Sequence, residues 1–174
     1  HLFLALLLGL VATAQAADAP DAVDALAPSS QPLGQHMRLL VEAGAPLNLA
    51  AARQAFATEQ RASATSPVLG LGIGHRPVWA HWVVNNPTDQ PLKRQLAVNP
   101  SWTDELDVHV IHPAGDTTSW HTGDALAGAP YLDDAQGYLF GHSFPPGRSE
   151  VLMRIATPDP MIVNVQLLTP AIRA

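Results

Sequence analysis

Residues 74–86 read GHRPVWAHWVVNN, and this stretch decides the fold. Between Val78 and Val84 both sets of alternating positions are largely apolar, as expected for a central strand that is covered on both faces. Trp79 and Trp82 are three positions apart, so their side chains point to opposite faces of such a strand. An Asn-Asn-Pro turn follows. The stretch therefore predicts a buried β-strand.

Further strands with the same two-residue period surround this one. Turn sequences such as Asn-Pro, Pro-Ala-Gly-Asp and Pro-Pro-Gly separate them. The predicted strands are residues 36–43, 68–73, 78–84, 92–98, 106–112, 117–122, 137–144, 151–156 and 162–169. Eight or nine short strands at this spacing predict an all-β fold, an antiparallel two-sheet jelly-roll sandwich.

One stretch, Leu49–Thr58, has helical character. Asn48 can cap it, and Leu49, Ala52 and Phe56 fall on one face. Because this helix is short and rich in alanine, we expect it to lie across an end of the sandwich rather than to form a layer.

The N-terminal residues indicate export. Residues 2–11 are almost continuously apolar but too few to span a bilayer comfortably, and the small-x-small pattern of residues 14–16 follows. We interpret residues 1–16 as a signal peptide without its basic region, with an uncleaved anchor as the alternative. Residues 17–35, rich in Pro, Ala and Asp, are interpreted as a flexible leader. Residues 36–170 form the predicted jelly-roll domain, large enough to bury a core.

Composition narrows the partners and the compartment. Nine Lys and Arg residues against fifteen Asp and Glu residues give a net charge of −6, so there is no basic face for nucleic acid. The chain contains no cysteine, so its core must hold the domain without disulfides. A secreted domain of this kind suits a Gram-negative periplasm.

The order of the elements is similar to that of one known family. The chain runs through a strand, a short helix, Gly-x-Gly and Val-Trp-x-x-Trp-x-Val-x-Asn, and then Asp-x-Leu-Asp-Val-x-Val, Phe-Gly-His-Ser-Phe and Leu-x-Arg-Ile. Over residues 37–169 it resembles the second, jelly-roll type of extracellular domain of bacterial seven-transmembrane receptors with diverse intracellular signalling modules. The recurrent family positions are occupied by Trp79, Asn86, residues 106–110, Gly123 and Arg154. Two residues after the tryptophan, where the family often has arginine, this chain has His81.

The resemblance implies a periplasmic ligand-sensing domain without enzymatic activity, tethered to the inner membrane in the full-length protein. Its ligand would be a carbohydrate or another small molecule. Membrane helices and a cytoplasmic output domain, a cyclic-di-GMP enzyme or a histidine kinase, are expected beyond the C-terminus, and a homodimer is possible. The alternative is a secreted carbohydrate-binding or adhesion sandwich with no signalling role.

Five residues are candidates for ligand binding. Sandwiches of this kind resemble carbohydrate-binding modules, which hold sugars against exposed aromatic side chains. The candidates are Trp79, His81, Trp102, Trp120 and Arg154. Trp102 and Trp120 lie near turns, where binding residues are common, whereas a strand tryptophan such as Trp79 is usually core. Arg154 either pairs with an acid at the sheet edge, the commoner case, or holds an anionic ligand group.

Local motifs for metal binding or catalysis are missing from the sequence. His109 and His112 would point apart on a strand, and the other histidines have no zinc-ligand spacing, so no metal or cofactor is expected. Asp104, Glu105 and Asp107 are near neighbours and cannot by themselves supply two carboxyls that face a sugar at a defined separation. There is no nucleophile elbow or phosphate-binding loop.

Overall fold

The structure, a computed structural model, describes residues 21–27, 31–59, 61–133 and 137–170, so the predicted signal peptide lies outside the described residues. Within these ranges it consists of strands, one α-helix and a short 3-10 turn at Gly34–His36. The strands are β1 (Val23–Asp24), β2 (Arg38–Val41), β3 (Leu69–Gly70), β4 (Val78–Asn86), β5 (Leu92–Asn99), β6 (Glu105–Ile111), β7 (Thr117–Thr122), β8 (Leu132–Asp133), β9 (Gly137–Phe144), β10 (Gly147–Ala156) and β11 (Ile162–Leu168). The α-helix, α1, is Leu49–Thr58.

Two sheets pack face to face, which confirms the predicted sandwich. The first sheet has the order β1-β4-β10-β6-β7, with β2 also paired to β4, and the second has the order β3-β11-β5-β9-β8. All strand pairs are antiparallel except β1 with β4, which is parallel. No helix among the described residues has the length and apolar character needed to cross a bilayer.

The main core lies between the two sheets and follows from the alternation of each strand. In β4 the inward positions hold Val78, Ala80, Trp82 and Val84, all at most 2% exposed. They pack in one cluster with inward residues of the second sheet, such as Phe140. Each fully buried valine, leucine or phenylalanine side chain stabilises the fold by about 1.5–3 kcal/mol, so this cluster holds the two sheets together.

A second, smaller core lies on the outer face of the first sheet, where α1 packs. Ala52 and Phe56 of the helix contact a cluster that includes Leu40, Trp79 and Leu152 of β2, β4 and β10. The expectation that the helix would lie across an end of the sandwich is therefore wrong. The reason is that each of these three strands also has an apolar outward residue, and Leu40, Trp79 and Leu152 need a cover that the second sheet cannot supply.

The described part of the predicted leader differs from the flexible segment that we expected. Val23 and Ala25 are 7% and 0% exposed and belong to the main core. The backbone N–H of Ala25 donates to the carbonyl of Asn85 at 2.8 Å, and that of Leu33 donates to the carbonyl of Val165 at 2.8 Å. The apolar residues at 23 and 25 are two positions apart, so in an extended chain they face the same side and dock against β4.

Candidate ligand-binding site

Three of the five predicted site residues share the outer face of the first sheet. Trp79 and His81 alternate along β4, and Arg154 of β10 lies directly beside Trp79 in the strand register. The next residue across the sheet from Arg154 is Asp107 of β6, followed by His121 of β7. The period-two pattern therefore places these side chains in one cross-strand row, although the sequence separates them by up to 75 positions.

Glu42, just after β2, binds both Trp79 and Arg154. Its Oε1 accepts the indole N–H of Trp79 at 2.8 Å, the Nε–H of Arg154 at 2.9 Å and the backbone N–H of Leu47 at 3.1 Å. Its Oε2 accepts an N–H from Nη2 of Arg154 at 3.1 Å. Burial alone would raise the pKa of Glu42, but the hydrogen bonds from Arg154, Trp79 and Leu47 together lower the pKa below its ordinary value. Glu42 is thus a buried carboxylate whose acceptors are already occupied.

This pairing decides what Trp79 can do. Its side chain is 2% exposed, its N–H is used by Glu42, and His109 stacks on its ring with centroids 5.9 Å apart. A sugar cannot stack on Trp79 unless His109 moves. Arg154 also binds Glu105, whose Oε2 accepts an N–H from Nη1 at 3.1 Å.

His81 is also enclosed. It is 7% exposed and stacks on Phe56 of α1 with centroids 5.1 Å apart. An Arg38 N–H faces its Nδ1 at 3.1 Å, so Nδ1 accepts and Nε2 carries the proton that faces Glu150 at 3.4 Å. Burial, together with the charge of Arg38, lowers the pKa of His81 despite the opposing effect of Glu150. His81 is therefore a neutral ring that links α1, β2 and β10.

The part of the outer face that α1 leaves uncovered is polar, and we name it the sheet platform. Its residues come from β6, β7 and β10: Glu105, Asp107, His109, Ser119, His121 and Arg154. Asp107 is hydrogen-bonded to His121, and His109 to Ser119 at 2.7 Å. Glu105, Ser119 and His121 are the exposed members, and the side chains of Glu105 and His121 are 54% and 57% exposed. Burial lowers the pKa of His109, although the nearby charge of Asp107 opposes this.

A groove of about 470 Å³ adjoins the sheet platform at one end of the sandwich, and we name it the end groove. It is lined by Gly74, His75, Pro77, Asp104, Glu105, Ala125, Ala156, Thr157 and Pro158. Glu105 belongs both to the groove and to the platform. Gly123 brings the end of β7 against the Asp104 loop: its φ is +146°, and an added Cβ would lie 1.9 Å from the carbonyl oxygen of Asp104.

The remaining two candidate tryptophans lie apart from the outer face. Trp102 is in the loop between β5 and β6, two residues before Asp104, and is 49% exposed. Trp120 points inward from β7 and packs on Phe140 and His142, with ring centroids 5.5 Å away in each case. The five predicted residues therefore do not form one site. Trp102 has the most exposed ring of the four tryptophans, and its loop also carries Asp104, which lines the end groove.

Some site residues were missed or underrated by the sequence reasoning. Glu42 gave no signal, since a lone acid after a strand is ordinarily solvated. Asp107 and His109 did give one, because they alternate with the inward Leu106 and Val108 and so had to share the outer face. Among the described residues, no group of three or more histidines and carboxylates has a geometry that could hold a metal ion.

The family model described as 7TMR-DISM extracellular 2 matches residues 34–169, which cover most of the chain. This range begins at the 3-10 turn before β2 and ends just after β11, so it includes α1, the sheet platform and the end groove. No curated protein matches the chain.

Proposed function

The chain belongs to the 7TMR-DISM extracellular 2 family, the extracellular sensor domains of bacterial seven-transmembrane receptors, and on that premise we propose that it binds a carbohydrate or another small polar molecule in the periplasm. The end groove supports this proposal. Its 470 Å³ lies within the usual range of ligand pockets, about 300–1,000 Å³. The carboxylates of Asp104 and Glu105 can accept hydroxyl donors, and Trp102 offers an exposed apolar ring in the same loop.

The bound ligand would act through Glu105. A hydroxyl that donates to Glu105 competes with Arg154, which in turn is bonded to Glu42 at the end of β2. Glu42 also accepts from the N–H of Leu47, just before α1. The ligand would therefore bias the position of β2 and α1 on the sheet, by no more than its difference in affinity for the two arrangements. Membrane helices would pass this bias to a cyclic-di-GMP enzyme or a histidine kinase.

Titration calorimetry of the chain with a panel of neutral and acidic sugars tests the binding step. Trp102→Ala should weaken the binding of a sugar at least about tenfold, as expected for the loss of about 1.4 kcal/mol or more of aromatic contact. Glu105→Gln should weaken it as well, because the amide keeps only one acceptor oxygen. The matched control is Ile162→Ala, which removes an apolar side chain that is 48% exposed on the second sheet.

The outcomes separate the alternatives. Loss of binding in the Trp102 and Glu105 variants but not in the Ile162 variant supports the end groove, whereas equal affinity in all three would refute it. The relay is tested in the receptor that carries the domain, by the change in cyclic-di-GMP level or autophosphorylation on adding the sugar. Binding without any change in output would instead support a carbohydrate-binding or adhesion sandwich with no signalling role.

A further inference from the structure

A second groove lies on the outer face of the second sheet, between β5 and β9. It encloses about 310 Å³, and we name it the basic groove. Its described lining residues are Lys93, Arg94, Gln95, Gly141, His142, Ser143 and Pro170. None of these is acidic, although acids outnumber Lys and Arg by fifteen to nine in the whole chain. The basic groove therefore has a local charge opposite to that of the protein.

The strand register explains how the basic groove forms. Lys93 lies directly across from Ser143, and Gln95 directly across from Gly141. Side chains two positions apart on a strand share a face, so Lys93 and Gln95 of β5 and Ser143 of β9 point the same way around position 141. Gly141 contributes no side chain there, and an added Cβ would meet no atom within 4 Å. The missing side chain leaves the space that the three polar groups surround.

These polar groups are not used within the protein. Among the described residues, Lys93, Gln95 and Ser143 make no side-chain hydrogen bond or ion pair, in contrast to Arg53, Arg61 and Arg154, each of which pairs with a glutamate. Within the described part of the chain, the guanidinium of Arg94 donates only to backbone carbonyls, those of Ala25 at 2.6 Å and Lys93 at 2.7 Å, so its charge has no carboxylate partner there. The set offers an ammonium, an amide and a hydroxyl as donors, and the guanidinium of Arg94 adds a second positive charge nearby.

We propose that the basic groove binds a small oxyanion, a carboxylate or a phosphate group, at a site distinct from the end groove. Lys93 would pair with the anion, Gln95 and Ser143 would donate hydrogen bonds to its remaining oxygens, and the charge of Arg94 would add long-range attraction. Hydrogen bonds between ionised partners are about twice as strong as neutral ones, so most of the affinity comes from Lys93. The proposal does not depend on sugar binding at the other sheet.

The probes are inorganic phosphate and succinate, titrated into the chain at constant ionic strength and followed by calorimetry and by amide NMR shifts of β5 and β9. Lys93→Gln should weaken binding about tenfold or more. Gly141→Val should abolish it, because valine fills the groove without entering the left-handed backbone region and is favoured in strands. Arg148→Gln is the matched control, since Arg148 is exposed on the first sheet and its substitution also removes one positive charge.

Binding that Lys93→Gln weakens, that Gly141→Val removes and that Arg148→Gln preserves supports the proposal. A response to only one probe supports it and assigns the anion class. The proposal is overturned if neither anion binds, if Arg148→Gln weakens binding as much as Lys93→Gln, or if Gly141→Val still binds. Thermal unfolding of each variant verifies that it is folded, and sugar binding at the end groove should be unchanged in the Lys93 variant, so the two sites fail independently.

Discussion

Removing Arg154 should expose how much the fold depends on the buried Glu42–Arg154 pair. The side chain of Glu42 is 2% exposed and that of Arg154 is 12% exposed. In Arg154→Met the carboxylate keeps the N–H groups of Trp79 and Leu47 but loses its only positive neighbour among these donors. Deleting one partner of a buried ion pair costs about 3–5 kcal/mol, because the other charge remains uncompensated. We therefore expect the free energy of unfolding to fall by about that amount.

The double variant Glu42→Gln/Arg154→Met gives a sharper test. Glutamine can still accept from Trp79 and Leu47, and it carries no charge that needs a partner. The double variant should therefore be more stable than Arg154→Met alone, a non-additivity that a purely steric role of Arg154 would not produce. Urea unfolding of the wild type, Glu42→Gln, Arg154→Met and the double variant measures the coupling. As a control, Arg148→Met replaces an exposed arginine on the same face of β10 and should change stability by less than about 0.5 kcal/mol.

The pH dependence of the stability of the wild type and Arg154→Met provides an independent test. In the wild type the pKa of Glu42 is lowered from 4.5, so its stabilising contribution is present above that value and is lost as the pH falls through the folded-state pKa. Without Arg154, burial dominates and raises the pKa of Glu42. Protonation at low pH then removes the uncompensated buried charge and so reduces the destabilisation of the variant. The stability difference between wild type and Arg154→Met should shrink on acidification. A difference that grows, or a double variant less stable than the single one, would refute the reasoning.

Two further predictions concern histidine and the helix. Burial lowers the pKa of His142 from 6.5 to about 4. As the pH falls from 6.5 to about 4, His142 is therefore protonated in the unfolded chain but not in the folded one, and the free energy of unfolding should decrease. After allowance for solvent screening the loss is about 1–2 kcal/mol, and urea unfolding of His142→Phe at several pH values should show a weaker dependence. In the same assay, Phe56→Ala should lower the free energy of unfolding by about 3 kcal/mol, because Phe56 is only 3% exposed and packs with Trp79 and Leu152. Gln54 is exposed on the same helix, so Gln54→Ala should have almost no effect. A small effect of Phe56→Ala would show that α1 does not depend on the outer face.

The strands were predictable because each long one repeats its apolar residues at every second position. The two that the pattern missed, Val23–Asp24 and Leu132–Asp133, have only two residues, which is too short for a period to be visible. The helix was predicted with its apolar face, Ala52 and Phe56, but its position was wrong. That position depends on the apolar outward residues of three strands, and the sequence does not reveal that they become neighbours.

The candidate site was less predictable than the fold. Trp79 and His81 share a face because they are two positions apart on one strand, and the strand register places Arg154 beside Trp79. Whether Trp79 and Arg154 can bind a ligand depends on Glu42, which is 112 positions before Arg154. No local pattern announces a contact at that separation. Trp120 is a different case, since Val108, its partner in the register, is an inward residue and directly opposite residues share a face. The pairing of β6 with β7 could therefore have placed Trp120 inside the sandwich.

The cover provided by α1 has a consequence for where ligands can bind. It encloses Trp79 and His81, so these strand residues of the family pattern stabilise the sheet, while the end groove and the basic groove carry open functional groups. These two grooves differ in charge and are on opposite sheets. Added salt should therefore weaken anion binding at Lys93, where Coulomb attraction is screened, and leave the binding of a neutral sugar near Glu105 unchanged. A salt titration of both affinities distinguishes a molecule with two separate sites from one with a single non-specific surface.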